Sequence, residues 1–390
     1  MTFEKLVMEE ALDAIIDYRG RTPQKSPIGI PTLSAKSVKN GQIDYSECYY
    51  ISPEEYKKFM TRGFPQKGDI LLTTEAPLGM VAKLDRADVA VAQRLLTLRG
   101  KKGVLDNDFL MYYLQSSEGQ GLLKAKETGT TVTGIKQAEF RKIVIKVPDF
   151  QTQKKIAAIL SALDEKIATN RAINDNLLEQ MQAIYKSWFV DYLPFGGVMP
   201  ESWTKTGIYS LANIIYGAPF ASKQFNTEGH GKPIIRIRDL KDQQFATYTT
   251  EVHPKGYLLR PGDIVVGMDG EFRPYIWGND EAWLNQRVCV FENKRPKRKA
   301  FLYFTIKPLL YAIEQTQVAT TVIHIGKKDY DAFEIMLPDA ATLDSFDSLT
   351  APMIMQIVSN SFENKRLAVM RDALLPKLMS GEIDVSAVQL

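Results

Sequence analysis

The sequence is poor in the residues that build metal sites and disulfide frameworks. Its 390 residues include two cysteines and three histidines. Cys48 and Cys289 lie far apart, and His230, His253 and His324 are scattered without the spacing of metal ligands. We therefore expect neither a disulfide framework nor a bound metal. Such sparse use of cysteine is typical of a reducing cytoplasm.

Long apolar runs and a strong net charge are also missing. No stretch approaches the about 20 apolar residues that a membrane-spanning helix requires. The first ten residues lack the apolar core of a signal peptide. We therefore predict no membrane segment and a cytoplasmic location. The formal net charge is only +3, so the charge of the whole chain barely hints at a nucleic-acid partner.

The chain contains a tandem duplication. Thr130-Thr131-Val132 and Ile135 recur 190 residues later as Thr320-Thr321-Val322 and Ile325. Other matches follow in the same order: Gly68–Leu72 with Gly262–Val266, Gln93-Arg94 with Gln286-Arg287, Val147–Asp149 with Leu337–Asp339 and, more loosely, Pro31 and Lys36 with Pro233 and Arg238. Matches that keep one order along the chain indicate two copies that have diverged most in their loops.

Each copy combines a mixed strand-and-helix module with a long helix. The sequence predicts short buried strands at Asp69–Thr73 and Asp263–Val266, amphipathic helices at Asp108–Gln115 and Lys299–Tyr311, and strands at Ile143–Val147 and Phe333–Leu337. We predict an α+β fold with modules at residues 1–150 and 194–341. The long helices are predicted at residues 151–193 and 342–390.

Both long helices carry the alternating three–four spacing of a coiled-coil seam. The seam residues are Leu163, Ile167, Asn170, Asn174 and Leu177 in the first helix and Met353, Ile357, Asn360, Asn364 and Leu367 in the second. The asparagines lie either at the wet margin of the seam or inside it, where they fix the register. Their recurrence in both copies favours the second interpretation. Pro376 is expected to kink or end the second helix.

The duplication favours pairing of these two helices within one chain over pairing between chains. We predict an antiparallel coiled coil that separates the two modules in a pseudo-twofold arrangement. A coiled coil that joins two copies of the chain is the alternative.

This organisation resembles the specificity subunit of type I restriction–modification systems. The likeness covers nearly the whole chain and is carried by Ile156–Ile167 with Asn170-Arg171, by Tyr185–Phe189, by Leu374–Ile383, and by Gly68–Leu71 and Pro261–Val265. The helix segments are the more specific of these.

The resemblance implies that each module is a target recognition domain that reads one half of a bipartite site in double-stranded DNA. It also implies that the helices dock methyltransferase subunits, which carry S-adenosylmethionine, and that a separate restriction subunit acts as motor and nuclease. This chain is then expected to hold no cofactor, no metal and no catalytic residue.

Candidate DNA contacts follow from side-chain chemistry, since Lys, Arg, Ser and Thr suit phosphates and Arg, Lys, Asn and Gln suit base edges. In the first module they are Arg19, Arg21, Ser34, Lys36, Thr73, Thr74, Glu75, Gln93, Arg94, Thr130, Thr131, Thr133 and Lys136. In the second they are Arg236, Arg238, Asp269, Arg273, Gln286, Arg287, Thr320, Thr321, His324 and Lys327.

Recurrence separates these candidates into two groups. The repeated Gln-Arg pair is either structural or a shared contact, and the Thr-Thr-Val turn favours phosphate. Residues that differ between the copies, such as Arg21 against Ala221 and Glu75 against Gly270, are the better candidates for sequence discrimination. The basic stretch at residues 294–299 is either a solvated loop or a docking site.

Two other function classes fit parts of the sequence. One is a self-contained DNA methyltransferase or nuclease with a degenerate site, and the other is a coiled-coil scaffold without a DNA role. A related system that divides methylation and cleavage differently also fits. The sequence has no Asp/Asn-Pro-Pro-aromatic motif and no Gly-x4-Gly-Lys-Ser/Thr loop. We therefore predict a DNA-binding subunit without catalytic residues.

Overall fold

The computed structural model describes residues 2–129, 133–295, 298–316 and 324–388. The chain divides into two compact units. Unit 1 is Met1–Glu165 with Ala368–Leu390, and unit 2 is Lys166–Leu367. Each unit contains one strand-rich module and a part of each long helix.

Unit 1 contains strands β1 to β11 and helices α1 to α5. The strands are Glu4–Val7, Leu12–Asp17, Ile30–Leu33, Val38–Lys39, Gln42–Ile43, Tyr49–Ile51, Ile70–Thr73, Val81–Lys83, Ala90–Val91, Leu95–Gly100 and Val144–Val147. The helices are Met8–Ala11, Pro53–Phe59, Asn107–Gln115, Ser117–Ala125 and Gln137–Arg141. The main sheet has the strand order β2-β10-β7-β8, and a smaller sheet has the order β6-β3-β9. Two short ladders, β1-β11 and β4-β5, complete the unit.

The first long helix, α6 (Phe150–Phe189), leads into unit 2, which contains strands β12 to β22. The strands are Thr204–Gly207, Ala212–Tyr216, Phe225–Asn226, Lys232–Ile235, Tyr248–Thr249, Leu258–Leu259, Ile264–Gly267, Pro274–Ile276, Ala282–Leu284, Val288–Asn293 and Glu334–Leu337. The remaining helices are α7 (Lys299–Thr316), α8 (Lys327–Asp331) and α9 (Ala340–Ser380). The sheets have the orders β13-β21-β18-β19, β14-β16-β15-β20-β17 and β12-β22.

The duplication predicted from the sequence is confirmed by the topology. The main sheets β2-β10-β7-β8 and β13-β21-β18-β19 have the same antiparallel connections. Each unit also has one parallel pair in its smaller sheet, β3 with β9 and β15 with β20. The strands β7 and β18 are buried along their whole length because they lie in the middle of the main sheet, where both faces are covered.

The two long helices begin in the same way. Asp149 accepts hydrogen bonds from the backbone N of Thr152 at 3.1 Å and from its hydroxyl at 2.6 Å. Asp339 accepts the same two hydrogen bonds from Thr342, each at 2.9 Å. An acidic residue in this N-cap position satisfies amide groups that the first helical turn leaves unpaired. The hydrogen bonds from Thr152 and Thr342 lower the pKa of the two carboxyls.

Helices α6 and α9 pair in antiparallel fashion, as predicted. In unit 2 the Nδ2 of Asn170 donates to Asn364 at 2.9 Å and to Glu363 at 2.8 Å. The Nδ2 of Asn360 donates to Asn174 at 2.8 Å. Partners with rising numbers in α6 have falling numbers in α9, so the helices run in opposite directions. Asn170 and Asn360 are 1% and 4% exposed, which places them inside the seam, where a buried amide pair restricts the register.

The ten predicted seam residues are all buried or half-buried. Of the two outcomes expected at Pro376, a kink or an end, the end is wrong, because α9 continues to Ser380. A proline inside a helix costs about 3 kcal/mol. Leu378 and Met379, which follow it, are buried in the core of unit 1. Burial of two such side chains contributes about 3–6 kcal/mol, enough to offset the proline.

A polar network ties α6 to α9 in unit 1. Asp164 lies 2.7 Å from the Nη1 of Arg371 and accepts a 2.7 Å hydrogen bond from the buried Tyr112 hydroxyl. The equivalent positions in unit 2 are Ile354, Met181 and Phe304, all buried in one apolar core. The two copies therefore fill the same three positions with a hydrogen-bonded network in one unit and with apolar packing in the other.

Replacing Asp149 with alanine is expected to lower the free energy of unfolding by about 1 kcal/mol at neutral pH. The folded-state pKa of Asp149 is lowered, so its contribution is complete above the unfolded-state pKa of about 3.9 and is lost as the pH falls through the folded value. Urea unfolding at about pH 7 and about pH 3 measures this. The exposed Asp175 in the middle of α6 is the matched control, and Asp175→Ala should change stability little. An effect of Asp149→Ala that is equal at both pH values would contradict the assignment.

Replacing Arg371 alone with methionine is expected to cost about 1–3 kcal/mol, because Asp164 keeps its charge and loses its partner. The triple variant Tyr112→Phe, Asp164→Ile, Arg371→Met copies the apolar set of unit 2 and should recover most of that loss. Urea unfolding midpoints of the three proteins test this. If the triple variant is less stable than the single one, the two sets are not interchangeable.

Candidate DNA interface

In unit 1 the predicted contact residues meet where three strands end. Strands β3 and β9 are parallel, with Leu33 beside Val91, so both chains emerge at the same edge. The loop after β7 joins them, because the backbone N of Thr74 donates to the carbonyl of Arg94 at 3.0 Å. We define the strand-end surface of unit 1 as Ser34, Lys36, Glu75, Gln93, Arg94, Thr133 and Lys136.

Unit 2 repeats this arrangement. Ile235 lies beside Leu284 in the parallel pair β15–β20, and the N of Met268 donates to the carbonyl of Arg287 at 2.9 Å. The strand-end surface of unit 2 is Arg236, Arg238, Asp269, Gln286, Arg287 and residues 324–327. Ser34 and Arg236 each precede a short 3-10 turn, which leaves Lys36 and Arg238 at equivalent exposed positions.

The segment that follows each Thr-Thr-Val motif is anchored on this surface. The N of Ile135 donates to the carbonyl of Thr74 at 2.9 Å, and the N of Ile325 donates to that of Met268 at 2.9 Å. Both isoleucines are fully buried, so they act as anchors. Thr133 and Lys136 are exposed beside the unit 1 anchor. The predicted contacts Thr130, Thr131, Thr320 and Thr321 lie outside the described residues.

A carboxylate holds the arginine of the Gln-Arg pair in unit 1. The Nε of Arg94 lies 2.8 Å from Glu75, and the Nη2 of Arg19 lies 3.6 Å from the same carboxylate. Arg94 adopts a positive φ of 72°, which is uncommon for a residue other than glycine. Its side chain is half exposed, and Gln93 beside it is exposed. The loop therefore presents both members of the pair at the surface.

Unit 2 has a related cluster of the same size, with a histidine as its third member. The Nδ1 of His324 lies 2.7 Å from Asp269, and the Nη1 of Arg287 lies 3.4 Å from Asp269 and 3.2 Å from His324. In the sequence, Glu75 of the first copy was matched with Gly270 of the second. The structure corrects this, because Glu75 and Asp269 occupy the same place after β7 and β18 and each meets the arginine of the Gln-Arg pair.

Several predicted contact residues are buried or engaged within the protein, and Thr74, at 4% exposure, is one of them. Thr73 is buried, and its hydroxyl donates to the carbonyl of Pro77 at 2.6 Å and accepts from the N of Met80 at 2.9 Å, which fits a role in shaping the turn. Further contacts are made by four basic residues: Arg236 donates to Thr247, Arg238 pairs with the buried Asp239, Arg273 pairs with Glu314 of α7, and Lys327 pairs with Asp331. The pairing with Arg273 also lowers the pKa of Glu314.

Sequence reasoning missed Arg62. Its Nη1 donates to the carbonyls of Asp17 and Arg19 at 3.0 and 3.2 Å, which brings it next to the loop that carries Arg19 and Arg21. No local pattern marks this arginine, because the contact joins residues more than forty positions apart.

Part of the basic stretch at residues 294–299 is buried. Arg298 is 6% exposed and its Nη2 lies 2.9 Å from Asp344 near the start of α9. Lys299 is half-buried near Asp263, and burial lowers its pKa. Pro296 and Lys297 lie outside the described residues.

Within the described ranges, no group of three or more His, Cys, Asp or Glu side chains is placed to hold a metal ion. A search of the same residues finds no helix with the length and apolar character needed to cross a membrane.

Comparison with known proteins gives the same division of the chain. A family model described as the type I restriction modification DNA specificity domain matches residues 14–179 and again residues 200–357. The chain belongs to the type I restriction–modification specificity subunits. It is the non-catalytic DNA specificity subunit of a type I restriction–modification system.

Relatives cover nearly the whole of this specificity subunit. The MjaIX specificity subunit of Methanocaldococcus jannaschii is 25% identical over 91% of this chain and 87% of that protein. The HindI specificity subunit of Haemophilus influenzae is 23% identical over 91% and 89%. The solved S subunit of M. genitalium has a TM-score of 0.58 at 17% identity, covers 97% of this chain and 96% of that one, and shows the same fold.

The structure separates two arginines that the sequence treats alike. Arg273→Ala is expected to lower the free energy of unfolding by about 1–3 kcal/mol, because it leaves the carboxylate of Glu314 without its partner. Arg238 is 61% exposed and its Nε lies at the longer distance of 3.4 Å from Asp239, so Arg238→Ala should cost less, about 0–1 kcal/mol. Urea unfolding of the two variants tests this, and equal losses would contradict it.

Proposed function

We propose that each unit reads one half of a bipartite site in double-stranded DNA through its strand-end surface. The supporting observation is that the same surface is built twice, once in each unit, from the same strands and the same anchored segment. A single chain with two such surfaces matches a site with two halves. We also propose the division into recognition domains at residues 1–150 and 194–341 and spacer helices at residues 151–193 and 342–390.

Within each surface we assign two kinds of contact. Residues that recur in both units contact the phosphate backbone, which has the same chemistry in any sequence. These are Gln93-Arg94 with Gln286-Arg287, and the Thr-Thr-Val segments. Residues that differ between the units read base edges, since the two halves of a site differ in sequence. These are Ser34 and Lys36 in unit 1 and Arg236 and Arg238 in unit 2.

We propose that the long helices dock methyltransferase subunits, which carry S-adenosylmethionine, and that a restriction subunit with motor and nuclease activity joins the same complex. Exposed apolar side chains on the helices support a docking role. Met355, Val369 and Met370 of α9 are 65%, 62% and 51% exposed, and Ile173 of α6 is 40% exposed. Large apolar groups at such exposure are typical of an interaction surface when they lie together.

The matched pair Lys36 and Arg238 tests the assignment of one half-site to each unit. In cells that carry the subunit with its methyltransferase partner, single-molecule mapping of methylated genomic DNA identifies the site of the wild-type complex. Lys36→Ala is expected to relax the sequence requirement in one half only, and Arg238→Ala in the other half only. A good base contact contributes about 1–3 kcal/mol of discrimination, or about 5- to 150-fold.

Co-purification of the methyltransferase subunit with each variant controls for assembly, which both changes should leave intact. If the two variants affected the same half of the site, the proposed division between the units would be wrong. If each variant weakened methylation of all sites equally, its residue would be a phosphate contact.

A further inference from the structure

Unit 1 carries a fixed pair of arginines next to its strand-end surface. We infer that Arg21 and Arg62 form a phosphate clamp for the DNA backbone in unit 1, and that unit 2 does not repeat this pair of arginines. This inference rests on the proposed function, since it adds a second DNA contact to the unit that carries it.

The clamp is built on a buried aromatic pair. The ring of Tyr18 is fully buried and stacks on Phe59 with centroids 4.8 Å apart. The Tyr18 hydroxyl donates to the carbonyl of Gly63 at 2.9 Å and accepts from the backbone N of Arg62 at 2.8 Å. These bonds lock the loop after β2 to the loop after α2. Arg21 and Arg62 therefore belong to one rigid corner of the unit.

Both guanidinium groups are held in place by neutral partners. Arg62 donates through Nη1 to the carbonyls of Asp17 and Arg19. Arg21 donates through Nη1 to the Thr61 hydroxyl at 2.7 Å, and its guanidinium carbon lies 5.3 Å from the centre of the Phe59 ring. A guanidinium has five N–H groups, so each keeps donors for another partner.

Neither charge is neutralised within the described part of the chain. No carboxylate oxygen of a described residue lies within 4.0 Å of Arg21 or Arg62, whereas Arg19 and Arg94 share Glu75. The nearby acids are otherwise engaged, because Asp17 accepts from the N of Arg19 and Glu55 accepts from the N of Gln24.

Two fixed and unpaired guanidiniums favour a phosphate ligand. Arginine binds phosphate oxygens with paired N–H donors, and a side chain already held in place loses little further conformational freedom on binding. The contact carries no base information, so it would add affinity for any sequence.

Unit 2 lacks the arginine pair, although Lys255-Gly256-Tyr257 repeats the order of Arg62-Gly63-Phe64. The chain after β13 reads Gly217-Ala218-Pro219-Phe220-Ala221, without a basic residue. Unit 2 therefore has no arginine equivalent to Arg21, and it has a lysine in the place of Arg62.

The test measures how DNA affinity of the complex with methyltransferase subunits depends on salt. One duplex carries the site that the wild-type complex methylates, and a second has a random sequence of the same length. Each lost phosphate contact reduces the slope of log affinity against log salt by about 0.9. We expect this change for Arg62→Gln and for Arg21→Gln on both duplexes. The ratio of wild-type to variant affinity should therefore fall about 3.5-fold as the salt concentration rises from about 50 to about 200 mM.

Two further variants sharpen the result. Lys5→Gln removes one exposed positive charge from β1 and should leave the slope unchanged, and Arg62→Lys keeps the charge and should retain most of the slope. If either loop fails to fold in one variant, as seen by a lowered melting temperature, the other arginine variant decides the outcome.

The clamp would be overturned if Arg21→Gln and Arg62→Gln both showed the same salt slope as Lys5→Gln. A loss confined to the methylated duplex, with a relaxed requirement at one base pair, would also overturn it and make the arginines base readers. Failure of the proposed function has a different signature, since the wild-type complex would then bind both duplexes equally.

Discussion

Packing between α6 and α9 is the constraint on which both units depend. In unit 1, Leu378, Met379 and Val385 share one apolar core with Ile156 and Leu160. The first module is thus completed by residues from the far end of the chain. Bringing these distant residues together closes a long loop, whose entropic cost grows only slowly with loop length. Burial of a sufficiently apolar seam can offset that cost. The buried asparagines of unit 2 add direction and register to this apolar contact.

The two copies share one topology but differ in the side chains that fill it. Tyr112, Asp164 and Arg371 form hydrogen bonds at three positions that Phe304, Ile354 and Met181 fill with apolar contacts. Each set is consistent within itself, because an isolated carboxylate among apolar side chains would be strongly unfavourable. The loops at the strand ends have diverged in the same way, with Ser34 and Lys36 in one unit and Arg236 and Arg238 in the other. Rigid strands with variable loops allow recognition to change without loss of the fold.

The sequence was sufficient to predict the elements and the repeat, because both depend on local periodicity and on matches in one order. Buried strands after Gly68 and Gly262 and the paired helices are of this kind. The sequence was not sufficient where distant residues meet. The equivalence of Glu75 and Asp269, the pairing of Arg273 with Glu314 and the position of Arg62 depend on contacts made only by the folded chain. Pro376 shows the same limit, since tertiary packing outweighs its local effect.

A carboxylate at the surface that we propose to face DNA needs a physical reason, since it repels phosphate. In unit 1 the reason lies in the geometry of Arg94. Glu75 pairs with its Nε, so the other N–H donors are left for the proposed contact with phosphate. In unit 2, Arg287 turns a terminal nitrogen toward Asp269 and His324, so less of its fork is free. The same two positions therefore present the recurring arginine differently in the two units. A repeated residue need not make an identical contact, because the carboxylate beneath it sets its direction.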